Sequence, residues 1–188
     1  LSDLIERRGA LREAAAWALF TETMHGVAYM HHDCSPSFAH RDIKLENVLL
    51  TASYIPKLAD FSFAIEFNGV TLCTQWCGSP PYFAPELLAN QPYNPLRSDV
   101  WAAGVCLYII SNDAFPFRLP EGPEESAAIL AAQRAKQWRL RRRTEETYAV
   151  AYRHLLTRML EPNARERYSA AQVLAHPWCT TDRAVGIH

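Results

Sequence analysis

Residues Asp99 to Ile110, Asp-Val-Trp-Ala-Ala-Gly-Val-Cys-Leu-Tyr-Ile-Ile, leave this chain little choice of architecture. Behind the leading carboxylate the pattern is that of a helix that is apolar on every side. Such a helix must be covered on every side, so the other segments have to pack around it. The run is too short to span a bilayer, which takes about 20 apolar residues. The chain can supply the cover. Its 188 residues are 49% hydrophobic and 21% charged, enough for one domain with a sizeable core. Disordered, collagen-like and low-complexity classes are set aside on the same grounds.

The covering segments read mostly as helices. From Leu11 to His31, apolar side chains at Leu11, Ala14, Trp17, Phe20, Met24, Val27 and His31 recur in steps of three and four, one face of a long helix. Ser2 to Arg8 reads as a shorter helix before Gly9, and Asp33 to Ser37 as a loop. Val48-Leu49-Leu50 and Ile55 to Ala59 suggest a small hairpin. Asp60 to Pro92, with four prolines and little periodicity, reads as a long loop, and long ordered loops commonly carry function. Helical patterns return at Pro123 to Trp138, Glu145 to Leu160 and Ser169 to Ala175, with Ser169 as N-cap and Pro177 beyond the end. No internal repeat or linker divides the chain.

Charge and glycine usage restrict the function. The 19 Lys and Arg nearly balance 20 Asp and Glu, a net charge of −1, which argues against nucleic-acid or membrane binding by bulk charge. The seven glycines are scattered, and neither G-x-G-x-x-G nor G-x-x-x-x-G-K-[ST] occurs. A nucleotide bound here would be held in another way. Five cysteines form no C-x-x-C pair, which suits a reducing, cytoplasmic setting and disfavours a structural zinc.

Chemistry concentrates in His40-Arg41-Asp42-Ile43-Lys44-Leu45-Glu46-Asn47, followed by the hairpin and Asp60-Phe61. Alone, Asp60-Phe61 fits an ordinary turn. The longer string sets a carboxylate, an ammonium and an amide on one short loop, with a second carboxylate across the hairpin. Oxygen donors of this kind suit Mg²⁺. Phosphoryl transfer asks a protein mainly for positioning and charge neutralisation.

At these residues the sequence resembles the C-terminal lobe of a protein kinase. The string matches the family's catalytic loop, Asp60-Phe61-Ser62 its metal-binding motif, and Ala84-Pro85-Glu86 the close of its activation segment. Ser98-Asp99-Val100-Trp101 with Gly104 resembles its buried helix, and Arg167 with His176-Pro177-Trp178 its tail. The resemblance implies a mainly α lobe of an α+β family, helical, with a short β-hairpin near the catalytic loop and the N-terminal lobe absent. Residues 1–179 would be the kinase portion and 180–188 a C-terminal tail.

It also implies roles. Asp42 would orient the substrate hydroxyl and accept its proton, and Lys44 would stabilise the transferring γ-phosphoryl group. Asn47 and Asp60 would hold Mg²⁺, and Leu49 would lie beneath the adenine of ATP. Glu46, beside the site, would favour basic substrates and is counted with the ATP-binding residues. Ser79 would contact Asp42 and Lys44, Glu86 and Arg167 would form a buried ion pair, and Asp99 would bind the catalytic-loop backbone. His40 reads as a packed scaffold residue. Lys44 two places after Asp42 resembles serine/threonine kinases, so the expected partners are ATP and a protein Ser/Thr hydroxyl, with a monomeric enzyme. Asp60-Phe61-Ser62-Phe63-Ala64 and the stretch from Cys77 to Glu86 look like those of testis-specific serine kinases, near the calcium/calmodulin-dependent branch.

Several positions depart from the family. Ser62 stands where Gly follows Asp-Phe, and Ser resists backbone turns that Gly allows. Three extra residues between His31 and His40 predict a surface bulge. Gln75 takes the usual phosphothreonine position, leaving adjacent Thr74, and then Thr71, as sites whose phosphate could pair with Arg41. Only 39 residues precede His40, so a glycine-rich loop and its strand Lys are expected to be missing. That leaves a second expectation open, a non-catalytic, pseudokinase-like binding module. The basic run Arg134 to Arg143 reads as a solvated helix end or as a dock for an acidic partner. His31 and His32 near Cys34 read as a helix end rather than a metal site.

Overall fold

A computed structural model describes residues 1–118 and 125–181. At its centre is the expected apolar helix, α4 (Pro95–Asn112), with every residue from Ser98 to Asn112 buried. It starts four residues earlier than the apolar run. The Asn94 side chain caps it, accepting hydrogen bonds from Leu96 N and Arg97 N, and Pro95 fits the first turn, whose N–H would lack a partner anyway.

Around α4 lie α1 (Ser2–Arg8), α2 (Glu13–Ala28) and α7 (Val150–Met159), with α8 (Ala170–Leu174) and α9 (Pro177–Thr180) closing over α2. Gly104 lets α4 and α7 approach. A Cβ there would lie 3.0 Å from Met159 Cβ and 3.1 Å from Leu160 Cδ2, tighter than ordinary packing. Trp178, fully buried, packs on Phe20 and Tyr152 and donates its indole N–H to Glu13 at 2.7 Å. Ser169 caps α8 in a reciprocal box with Gln172.

Three helical expectations are corrected. The Leu11–His31 helix is α2 followed by a wider π-turn at Tyr29–Asp33, which starts the surface bulge. The Glu145–Leu160 helix is two, α6 (Arg142–Thr147) and α7, because Tyr148 and Ala149 are extended. Tertiary bonds hold that break: Tyr148 donates to Leu11 O at 2.9 Å and Ala149 N to Glu13 Oε1 at 3.1 Å. The Pro123–Trp138 pattern is α5 (Glu125–Arg134), closed by Lys136 in the left-handed region at φ 52°. Residues 123 and 124 lie outside the described residues, as do 182–188 of the expected tail.

The hairpin forms as β2 (Val48–Leu50) and β3 (Pro56–Leu58), antiparallel, with Leu49 opposite Lys57. A second antiparallel pair was not expected. β1 (Ser37–Ala39) meets β4 (Ile65–Phe67), so the segment after Asp60 is less irregular than its sequence suggests. That segment also holds α3 (Pro85–Leu88) and a bridge between Cys73 and Tyr93. Among the described residues no helix is long and apolar enough to cross a membrane.

Candidate active site

The loop between β1 and β2 is suspended from the central helix. Asp99, in the first turns of α4 and 1% exposed, accepts three hydrogen bonds: His40 N and His31 Nε2 on Oδ2, and Arg41 N on Oδ1. The distances are 2.8, 2.9 and 2.8 Å. A buried carboxylate is tolerable only when its lone pairs are met in this way. His31 is the last residue of the apolar stripe of α2 and its π-turn, so its imidazole reaches Asp99 from the far side.

Arg41 then turns the chain with φ 65°, an uncommon conformation for a residue with a Cβ, held here by its own N–H and that of His40, both donated to Asp99. His40, fully buried, donates Nε2–H to Ala59 O at 3.0 Å and accepts Asp42 N at Nδ1. Its ring rests on Phe61, centroids 4.9 Å apart. It links the two ends of the β2–β3 hairpin. Ala59 N also donates to Asn47 O at 2.9 Å, which holds Asp60 beside the loop.

These constraints converge on Asp42, which is buried. Lys44 Nζ donates to its Oδ2 at 2.8 Å, Ser79 Oγ to Oδ1 at 2.9 Å, and Asn47 Nδ2 to both its carbonyl and Oδ2 at 2.9 and 3.1 Å. Lys44 also donates to Ser79 Oγ at 2.9 Å, closing a triangle of carboxylate, ammonium and hydroxyl. Asn47 spends its N–H₂ on Asp42, which leaves the amide oxygen as a donor to a cation.

Gly78 lets Ser79 arrive. Its φ is 98°, and a Cβ there would sit 2.5 Å from Arg41 O, so only glycine fits. Ser79 is legible in the sequence, but the need for this neighbour is not. Nor are His31 as a partner of Asp99 and Tyr82 as one of Glu46, whose carboxylate accepts the Tyr82 hydroxyl at 3.3 Å. Burial raises the Tyr82 hydroxyl well above its usual range, so it stays a donor. Glu46 and Leu49 are exposed beside the site, with the Leu49 side chain 55% accessible.

Asp60 is exposed and has φ 60°. The Ser62 hydroxyl donates to its Oδ1 at 2.6 Å and the Ser62 N–H at 3.3 Å, and these bonds hold the carboxyl below its ordinary value. One Asp60 oxygen is therefore shared with Ser62. The fit to Mg²⁺ is that of an open site, since Asp60 and the Asn47 amide oxygen are hard donors and waters and phosphates complete the octahedron of such ions. No cluster of three or more His, Cys, Asp or Glu among the described residues offers a self-sufficient cage.

The segment that follows Asp60 lies beside this centre. Arg41 Nε donates to Phe63 O at 2.6 Å, while its Nη1 is buried without a partner. It lines a cavity of about 470 Å³ shared with Thr71 and Thr74. Burial raises the thiol pKa values of Cys73 and Cys77 and pushes the Tyr93 hydroxyl up to about 12. The segment ends on Glu86, whose carboxylate meets Arg167 in a two-pronged pair at 2.7 and 2.9 Å.

Known proteins carry the same pattern. The protein kinase domain family matches residues 1–179. Serine/threonine-protein kinase kin-29 of Caenorhabditis elegans is 36% identical over 179 residues, covering 95% of this chain and 20% of that protein. CBL-interacting serine/threonine-protein kinase 8 of Arabidopsis thaliana is 33% identical over 183 residues, 97% of this chain and 39% of that protein. Serine/threonine-protein kinase SIK2 of Gallus gallus is 32% identical over 180 residues, 96% and 21% respectively. The chain thus spans a fifth to two fifths of the length of these relatives. With the family matched over nearly its whole length, the chain belongs to the protein kinase domain family, with serine/threonine kinases among its relatives.

Proposed function

We propose that this chain is the C-terminal lobe of a serine/threonine protein kinase that transfers the γ-phosphate of ATP to a protein Ser or Thr hydroxyl. The observation that carries the reading is the Asp42–Lys44–Ser79–Asn47 cluster, in which every donor around a buried carboxylate is accounted for. In this reading Asp42 orients the acceptor hydroxyl and takes its proton. Lys44, held by Asp42 and Ser79, sets one positive charge where negative charge develops. Asn47 and Asp60 would hold Mg²⁺, which when bound neutralises phosphate charge. Leu49 would support the adenine, and Glu46 would favour basic substrates. A phosphate on Thr74 would pair with the guanidinium of Arg41, which lines the same cavity, and order the segment. A cytoplasmic, monomeric protein belongs to the same reading.

The activity is proposed of the longer protein. In the chain alone Leu49, Phe61 and Phe63 are exposed beside the site, apolar surface that a second layer of protein would cover. The test is transfer of labelled phosphate from Mg·ATP to a protein mixture by the longer protein, with the acceptors identified by mass spectrometry. Phosphoserine and phosphothreonine that vanish on chelation of Mg²⁺ support the reading; phosphotyrosine alone, or no transfer, sinks it.

One observation favours a second reading, a pseudokinase-like binding module. The Ser62 hydroxyl already occupies an Asp60 oxygen that a cation would need. If the longer protein binds partners but neither nucleotide nor Mg²⁺, that reading replaces the first.

A further inference from the structure

A second cavity, of about 600 Å³, opens where α3, α4 and the end of α5 meet the loop 161–168. Its lining shares no residue with His40–Asn47 or with Asp60. Three arginines face it: Arg97 from the first turn of α4, Arg134 at the end of α5, and Arg165 from the loop. Among the described residues of the lining the one acid is Glu86, and both its carboxylate oxygens are taken by Arg167. Among the described residues the lining therefore carries three cations and no free anion.

The elements that carry these arginines are tied to one another, and Arg97 is also held through its guanidinium. Arg167, 1% exposed, donates to Glu161 O at 2.9 Å and to Arg97 O at 3.0 Å, and Arg97 returns a bond from Nη1 to Arg167 O. That exchange ties the loop of Arg165 to the helix of Arg97. Gln133, buried next to Arg134, donates to Phe83 O at 3.0 Å and pins the end of α5 against the segment before α3. Arg97 is partly buried, and burial and the charge of Arg167 both lower its pKa, as expected for a cation with no carboxylate beside it. Three prolines, Pro85, Pro92 and Pro162, form rigid walls.

We infer that this cavity binds an acidic segment of a protein partner, its carboxylates meeting Arg97, Arg134 and Arg165. Guanidinium groups pair carboxylates two-pronged, and a cavity lined by one sign of charge focuses its field on an incoming anion. A single phosphate would leave most of the volume empty, whereas several peptide residues would fill it between proline walls. The basic run beginning at Arg134 then has a structural use at its first member. Elsewhere in the run Lys136 pairs with Glu161 and Arg142 with Glu146.

The experiment is fluorescence anisotropy of the chain with a labelled Glu/Asp-rich peptide and its Gln/Asn counterpart. The acidic peptide should bind, its counterpart should not, and affinity should fall as salt shortens the screening length to about 8 Å at 0.15 M and below. Charge reversal at Arg134 and Arg165, both exposed, should weaken binding about tenfold or more. Reversal at Arg139 and Arg143, outside the cavity, should change it less than about twofold. If the reversed variant fails to fold by circular dichroism, Arg134→Ala with Arg165→Ala gives the same reading. Equal loss from both pairs of reversals, or none from Arg134 and Arg165, overturns the inference. So does equally effective displacement of the peptide by inorganic phosphate, which would mark a free-anion site, or by phosphatidylserine vesicles, which would mark a membrane surface.

Discussion

Replacing Arg167 by Met strands the Glu86 carboxylate. The two side chains are 1% and 9% exposed and joined at 2.7 and 2.9 Å. Arg167 also satisfies the carbonyls of Glu161 and Arg97 and lies over the Trp101 ring, 5.0 Å from its centroid. Breaking a buried pair by removing one partner costs about 3–5 kcal/mol, most of it the burial of an uncompensated charge. For a domain of this size each kcal/mol moves Tm by about 2–4 °C, so Arg167→Met should lower it by about 6–20 °C. Arg167→Lys should rescue little, because an ammonium cannot reproduce the fork and the carbonyl bonds together. Adding Glu86→Leu to Arg167→Met should recover a substantial part of the loss, since no charge is then buried alone. The assay is thermal and urea unfolding of all four proteins, followed by circular dichroism. A loss below about 1 kcal/mol for Arg167→Met, or a double variant no more stable than the single one, would refute the reasoning.

Three further outcomes follow from the geometry. Ser62→Gly removes the hydroxyl on Asp60, so the Asp60 pKa should rise toward its ordinary 3.8 in a carboxyl-carbon NMR titration, and Mg²⁺ should bind more tightly; an unchanged titration contradicts the assigned cause. Phosphorylation of Thr74 should slow proteolysis within residues 71–76, and Arg41→Ala should abolish that protection; protection that survives the substitution argues against the pairing. Burial, then the nearby His154 at 2.8 Å, holds His176 below its usual pKa. The unfolded chain therefore takes up a proton near pH 6.5 that the folded one resists, and stability drops as pH falls through about 6.5. In Tm measured at about pH 7.5 and 5.5, His154→Gln should shrink the drop relative to the parent, and an unchanged drop rules out the assigned pair.

What could be read in the sequence, and what could not, divides along physical lines. The central helix was legible because an all-apolar run admits one environment, and the β2–β3 hairpin because two short apolar runs flank a turn. The true start of the central helix at Pro95 was written in Asn94-Pro95, a capping signal that the apolar run outshone. The β1–β4 pair was not legible, since three residues are too few to display a period of two and the partners lie far apart in sequence. The break at Tyr148 is likewise tertiary, made by Leu11 and Glu13. At the site, residue types gave Asp42, Lys44, Asn47 and Asp60 as candidates. The need for glycine at 78 depends on how closely Arg41 O approaches, which only coordinates supply. His31 looked like a helix end because nothing local ties it to Asp99, 68 positions on.

The most direct test of the central claim is initial-rate kinetics of the longer protein with Asp42→Asn, measured against ATP and a protein acceptor. The substitution is nearly isosteric: its one amide oxygen can still accept from Lys44, its N–H₂ would donate to Ser79 Oγ where the carboxylate accepted, and the group proposed to accept the proton is gone. General-base catalysis of this kind contributes about 10²–10⁴-fold, so kcat should fall by about that factor while the KM for ATP and Tm change little. Turnover within about threefold of the parent would contradict the assignment of Asp42 and the account built on it.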